Sequence, residues 1–141
     1  MNNITFTING VPPSTNHLYF NLPTGGRALN KIGKKYAGDI KDLIGREYFE
    51  QMSEFKVDDK TMFKVSSIIY FKTLRNGPTA KGYYKQIDVD NRIKLLHDVV
   101  FKSIGVDDRN IFNISVMKKE SNDERVEITL EVIDNSEGYL K

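Results

Sequence analysis

The apolar residues of this chain switch between two spacings along its length, and that switching limits the fold more than any other feature. Residues 4–8, Ile-Thr-Phe-Thr-Ile, alternate apolar and polar, as a half-buried strand does. Val11-Pro12-Pro13-Ser14 ends the run, because proline has no amide to give to a ladder. Over residues 31–52 the spacing becomes three and four, through Ile32, Tyr36, Ile40, Leu43, Ile44 and Tyr48. That predicts an amphipathic helix with Asn30 as its cap. Residues 63–71 are rich in strand formers but alternate imperfectly, which predicts a strand buried on both faces. Residues 91–104 are helical again, with Ile93, Leu96, Val100 and Ile104 on one stripe and Gly105 suited to end it. Residues 111–117 and 124–133 return to strand patterning, and the polar link 118–123 predicts that they pair as an antiparallel hairpin. The order β-α-β-α-β-β predicts a single α+β domain with a mixed sheet and helices packed largely on one face.

A chain of 141 residues is long enough for one domain, 1–141, with 135–141 expected to fray as a tail. Residues 14–30 and 73–87 are polar and read as long loops, which in a small domain are commonly functional. Cysteine is absent, so disulfides, thiolate-bound zinc, iron–sulfur clusters and thiol nucleophiles are excluded. The histidines are His17 and His97 alone, so a resident metal would be held by oxygen, favouring Mg²⁺, Mn²⁺ or Ca²⁺. The net charge of +2 permits a nucleic-acid partner without demanding one. No stretch approaches the roughly 20 apolar residues of a membrane span, and residues 1–5 lack the pattern of a secretion signal.

The densest polar constellation is Asp88-Val89-Asp90-Asn91-Arg92-Ile93-Lys94, followed by Asp98 and Asp107-Asp108. Asp88 and Asp90, two apart in extended chain, point to one side. Two carboxylates so placed suit a hard cation. Lys94 lies one helical turn beyond Asp90, on the same face. Other readings stand beside this one. Asp90 or Asn91 can serve as a helix cap, Asp107-Asp108 can be turn chemistry, and Lys94 can be an ion-pair partner of Asp90 or Asp98. The chain path after Gly105 decides whether Asp108 joins Asp88 and Asp90.

The run Asp88-x-Asp90-Asn91-x-x-Lys94-x-x-x-Asp98, then Gly105-x-Asp107-Asp108, resembles the signature of the RusA-type Holliday junction resolvases. Pro12-Pro13-Ser14-x-Asn16 with Tyr19 is similar to that family's segment after the first strand, and Lys34-Lys35-Tyr36 stands where a similar helix begins. The resemblance implies that Asp88, Asp90 and Asp108 are the essential metal-binding acids, with Asp107 auxiliary, and that Lys94 is the essential basic residue, which either stabilises charge on the phosphate or orients and helps deprotonate the attacking water. It implies an endodeoxyribonuclease that resolves four-way junctions and related branched DNA by paired nicks. The implied cofactor is Mg²⁺ with Mn²⁺ as a possible substitute, the assembly a homodimer, and the setting a bacterial or phage-infected cytoplasm. The loop 73–86 is longer than in the family and less rich in arginine before Asp88.

DNA contacts are expected from basic segments: Lys31, Lys34 and Lys35 at the first helix, and Arg75, Lys81 and Lys85 in the loop before the acidic run. Tyr83 and Tyr84 lie among the latter as candidate stacking groups. Asn16, from the proline-rich motif, is placed with them. The same carboxylates would also serve a metal-dependent nucleotide hydrolase. If they are only caps and turns, the chain is a non-catalytic module that binds DNA junctions.

Overall fold

The computed structural model describes residues 2–141; residue 1, the first of the expected domain, lies outside the described residues. The strands are β1 (Asn3–Asn9), β2 (Tyr19–Asn21), β3 (Arg27–Leu29), β4 (Met62–Phe71), β5 (Ile111–Glu120) and β6 (Arg125–Ile133). The helices are α1 (Lys31–Glu47), α2 (Phe49–Glu54) and α3 (Asp90–Ile104). The main sheet runs β1-β6-β4-β5, with β4 and β5 parallel and the other pairs antiparallel. β2 and β3 form a separate small hairpin.

One face of the sheet carries the core. Ile4, Phe6 and Ile8 of β1, Phe63, Val65 and Ile69 of β4, and Val126, Ile128 and Leu130 of β6 pack against Ile40 and Ile44 of α1 and Ile93, Leu96 and Val100 of α3. The opposite face is polar and open, with Thr5 bonded to Thr129 and the Arg125 guanidinium 3.9 Å over the Tyr70 ring. The fold is therefore mixed α+β with its helices on one side, as the periodicity predicts.

Five local expectations need correction. β4 is not buried on both faces: its odd-numbered residues are buried and its even-numbered ones half-buried, in strict alternation. The alternation looks broken in the sequence because a serine occupies a core position. Ser67 is fully buried, its hydroxyl 2.7 Å from His97 Nε2 on α3, so a buried hydrogen bond replaces an apolar contact there.

β5 and β6 do not pair with each other; β4 lies between them. Residues 121–124 cross the end of β4, where Ser121 N–H donates to Phe71 O at 2.8 Å and Glu124 accepts from Lys72 N–H at 3.1 Å. The step covers two strand spacings, about 10 Å, within the roughly 13 Å reach of four extended residues. β6 is the more apolar strand, with Val126, Ile128 and Leu130 wholly buried, and it takes the interior place. β5 ends in Lys118-Lys119-Glu120, and charge of this kind suits an edge that must not recruit another strand.

The helix expected over 31–52 breaks at Tyr48, which leaves helical geometry at φ −120° and ψ 10°. Its ring packs on Phe6 and its hydroxyl accepts from Thr7 N–H at 2.8 Å, a tertiary reason that periodicity does not carry. Residues 14–30 are not plain loop either: they hold a 3-10 turn at Thr15–His17 and the β2–β3 hairpin. Residues 135–141 turn back beside β5, where Asn113 donates to the Tyr139 hydroxyl at 3.1 Å and Leu140 N–H donates to Asn135 Oδ1 at 2.7 Å.

Candidate active site

α3 begins without a side-chain cap. Val89 occupies the cap position, and Asp88 Oδ1 accepts only the Asp90 N–H, at 3.2 Å. Neither Asp90 nor Asn91 is consumed by capping. Asp88 and Asp90 are both exposed, and their negative charge is favoured by the helix N-terminus. Lys94 is exposed one turn on and, among the described residues, makes no ion pair. The reading of Lys94 as a partner of Asp90 or Asp98 is therefore not realised.

The proline-rich segment is clamped between the first turns of two helices. On the α3 side, the Thr15 hydroxyl donates to Asn91 O at 2.6 Å, Asn91 Nδ2 donates to Ser14 Oγ at 3.3 Å, and the Arg92 guanidinium donates to Pro12 O at 3.1 Å. On the α1 side, the Asn30 side chain caps Gly33 N–H at 2.8 Å and donates to His17 O at 2.8 Å. Gly33 lies so close to the Leu18 carbonyl that a Cβ there would collide with it. These contacts hold the Lys31–Lys34 end of α1, residues 12–18 and the Asp88–Asp90 end of α3 together in one block.

The other end of α3 is closed by Gly105 in the left-handed conformation, φ 72°, with Val106 N–H donating to Phe101 O at 2.9 Å. Asp107 is turn chemistry: its Oδ1 accepts from Arg109 N–H at 3.0 Å and pairs with Arg109 Nε at 3.2 Å. These bonds hold its carboxyl below the usual range. Asp108 is exposed and accepts no side-chain hydrogen bond from the described residues. The turn reading thus holds for Asp107 and leaves Asp108 unengaged. Asp98 lies half-buried between the two ends; burial and then the Asp108 charge raise its pKa, against the pull of Lys94 and Lys102. Asp98, Lys102, Asp107 and Asp108 share the wall of one small cavity of about 220 Å³.

The structure thus joins Asp88 with Asp90, and Asp108 with Asp98, but does not join the two pairs within one chain. α3 is 15 residues long, about 22 Å at roughly 1.5 Å per residue. Among the described residues no three acidic or histidine side chains converge as a metal-holding group.

The expected DNA contacts divide in a similar way. Lys31 and Lys34 are exposed on the first turn of α1, whereas Lys35 is paired with Asp39 at 2.9 Å. Asn16 Oδ1 accepts weakly from Arg27 at 3.4 Å. Arg75 is spent on Glu120 at 3.1 Å, Lys81 is exposed and Lys85 half-buried. The segment expected as a second loop is a pinned hairpin: Asn76 N–H donates to Tyr83 O and Lys85 N–H to Leu74 O, both at 2.8 Å. Sequence reasoning gave no role to Thr15 or Arg92. Their partners lie 76 and 80 residues away in the chain, and no local signal carries such contacts.

A family model described as endodeoxyribonuclease RusA matches residues 10–131, a span that contains the clamped segment, the hairpin and both ends of α3. No curated protein matches the chain. Among solved structures, the periplasmic domain of Helicobacter pylori MotB (residues 78–256) is similar at a TM-score of 0.40 and 13% identity, over 96% of this chain and 80% of that one.

Proposed function

The chain belongs to the RusA endodeoxyribonuclease family, whose members are junction-resolving hydrolases, and on that premise we propose that it resolves Holliday junctions by paired, Mg²⁺-dependent nicks in DNA recombination and repair. The observation that carries this reading is the start of α3, where Asp88 and Asp90 stand exposed with Lys94 one turn away. Nucleases of this family generally need divalent metal ions. Mg²⁺ takes only one or two protein carboxylates and keeps several waters, so an exposed pair of hard oxygen donors fits it, with Mn²⁺ as a substitute. Bound there, the metal would supply Lewis-acid stabilisation of phosphate charge and an acidified water. Asp88 and Asp90 would be the residues that hold that ion. Lys94 adds a positive charge beside the charge that develops on the phosphate.

Asp108, with Asp107 auxiliary, belongs to the same site by the family pattern, yet it lies past the C-terminal end of α3, beside Asp98 rather than beside Asp90. A homodimer resolves the conflict. Two copies whose α3 helices run antiparallel set the Asp88–Asp90 end of one against the Asp107–Asp108 end of the other. A two-fold dimer also suits two matched nicks in a junction of approximate two-fold symmetry. Lys31, Lys34, Lys81 and Lys85, with Asn16, form the DNA-facing surface around each site; Lys35 and Arg75 join it only by exchanging their carboxylate partners for phosphate. No described helix is long and apolar enough to cross a membrane, and we place the work of this nuclease in a bacterial or phage-infected cytoplasm.

The test is incubation with a synthetic four-way junction in Mg²⁺, with products mapped on all four strands. Nicks at matched positions on opposed strands support the reading. An intact junction in both Mg²⁺ and Mn²⁺ overturns it, and tight binding without cutting would make the chain a binding module. Hydrolysis of a nucleoside triphosphate in its place would make it a nucleotide hydrolase.

A further inference from the structure

The hairpin before Asp88 is built too rigidly, and presents too much aromatic surface, for a mere connection. The Asn76 amide donates to Gly82 O at 2.9 Å and Tyr84 O at 3.0 Å, closing the turn from inside. Glu120, at the end of β5, accepts from Leu74 N–H at 2.7 Å and from the Arg75 guanidinium at 3.1 and 3.3 Å. On this frame Tyr83 and Tyr84 are 67% and 68% exposed, stacked edge to face at 4.8 Å. Behind Tyr84 lies a cavity of about 540 Å³ lined by Leu74, Arg75, Tyr84, Lys118, Lys119 and Glu120, within the roughly 300–1,000 Å³ of small-ligand sites. Lys118 also donates to Ile87 O at 3.0 Å, so one wall of the cavity touches the residue next to Asp88.

The charge of this cavity selects its occupant. Glu120 is neutralised by Arg75, while Lys118 and Lys119, among the described residues, make no ion pair. An aromatic face beside unpaired cations suits a nucleotide, whose base stacks and whose phosphate is neutralised. We propose that this cavity seats one unpaired nucleotide of the DNA strand at the junction crossover, its base on the Tyr84 ring and its phosphate at Lys119. Tyr83 buttresses the Tyr84 ring as a positioning residue. The seat rests on the nuclease reading for its substrate and adds to it a preference for junctions with an unpaired nucleotide at the branch point.

The experiment uses the full chain in EDTA, where no cutting occurs. Two four-way junctions are compared, one fully paired and one with a single unpaired 2-aminopurine nucleotide at the crossover. The parent should bind the second at least about fivefold more tightly, the low end of base–aromatic stacking, and should quench its fluorescence. Tyr84→Ala should erase both the preference and the quench; Tyr84→Phe should keep both. Lys119→Ala should reduce the salt slope of binding by about 0.7, one phosphate on a single strand. Both tyrosines are exposed, and an unchanged circular dichroism spectrum for Tyr84→Ala secures the comparison. Equal binding of the two junctions by the parent, or a preference that survives Tyr84→Ala, overturns the seat. A parent that shows the preference and the quench yet cuts no junction in Mg²⁺ upholds the seat and overturns the nuclease reading alone.

Discussion

Acidification should weaken this protein through one buried histidine. His97 is 5% exposed, bonded to Ser67 and stacked on Phe101 at 5.2 Å. Burial pushes its pKa down from 6.5 to about 4. Below pH 6.5 the unfolded chain binds a proton on this imidazole while the folded chain does not, so stability falls as pH falls and the loss is complete below about 4. At about 1.4 kcal/mol per pH unit the loss approaches roughly 3 kcal/mol, a large share of the ~5–15 kcal/mol that holds a domain together. The assay is urea unfolding from pH 7.5 to 4 for the parent and for the double variant Ser67→Ala/His97→Leu. Removing both partners avoids an orphaned buried hydroxyl. The difference in stability between the two proteins should be flat above pH 6.5 and should then shift by roughly 3 kcal/mol against the parent by pH 4. The exposed carboxylates titrate in both proteins and cancel. Parallel curves across that window would mean that His97 accepts its proton in the folded state, and would refute the burial reasoning.

Chains carrying Asp90→Asn and Asp108→Asn should each be inactive alone with their folds intact. Mixed under conditions of subunit exchange, they should recover nicking at roughly a quarter of the parent's site concentration, since half the dimers are mixed and each of those holds one complete site. A mixture as dead as its parts would place every ligand within one chain. In EDTA, Asp90→Asn should bind a four-way junction at least as tightly as the parent, because it removes a charge that repels phosphate; weaker binding by filter or gel assay would count against its place on the DNA face. The Lys81→Ala/Lys85→Ala pair should reduce the salt slope of binding by about two units, near 0.9 per phosphate on duplex arms, with cutting restored at high protein concentration. Gly33→Ala should lower thermal stability by about 1–3 kcal/mol, because its Cβ meets the Leu18 carbonyl; an unchanged melting temperature would show that the clamp yields.

Element types were legible because they are set locally. Val126, Ile128 and Leu130 alternate whatever strand lies beside them, and Asn30 caps α1 through a bond three residues away. The acidic run was legible because its spacing places Asp90 and Lys94 on one face of any helix that forms there. Tertiary structure decided what depends on a partner distant in sequence. Ser67 looked like a break in a strand until His97 arrived opposite it, 30 residues on. β4 took the place beside β6 that a short link seemed to reserve for β5, because burial of apolar area is shared across the whole sheet, whereas a turn signal reports only on its own few residues. The two ends of α3 are close in sequence pattern and a helix length apart in space, since a helix fixes distance along its axis as firmly as it fixes which side chains share a face.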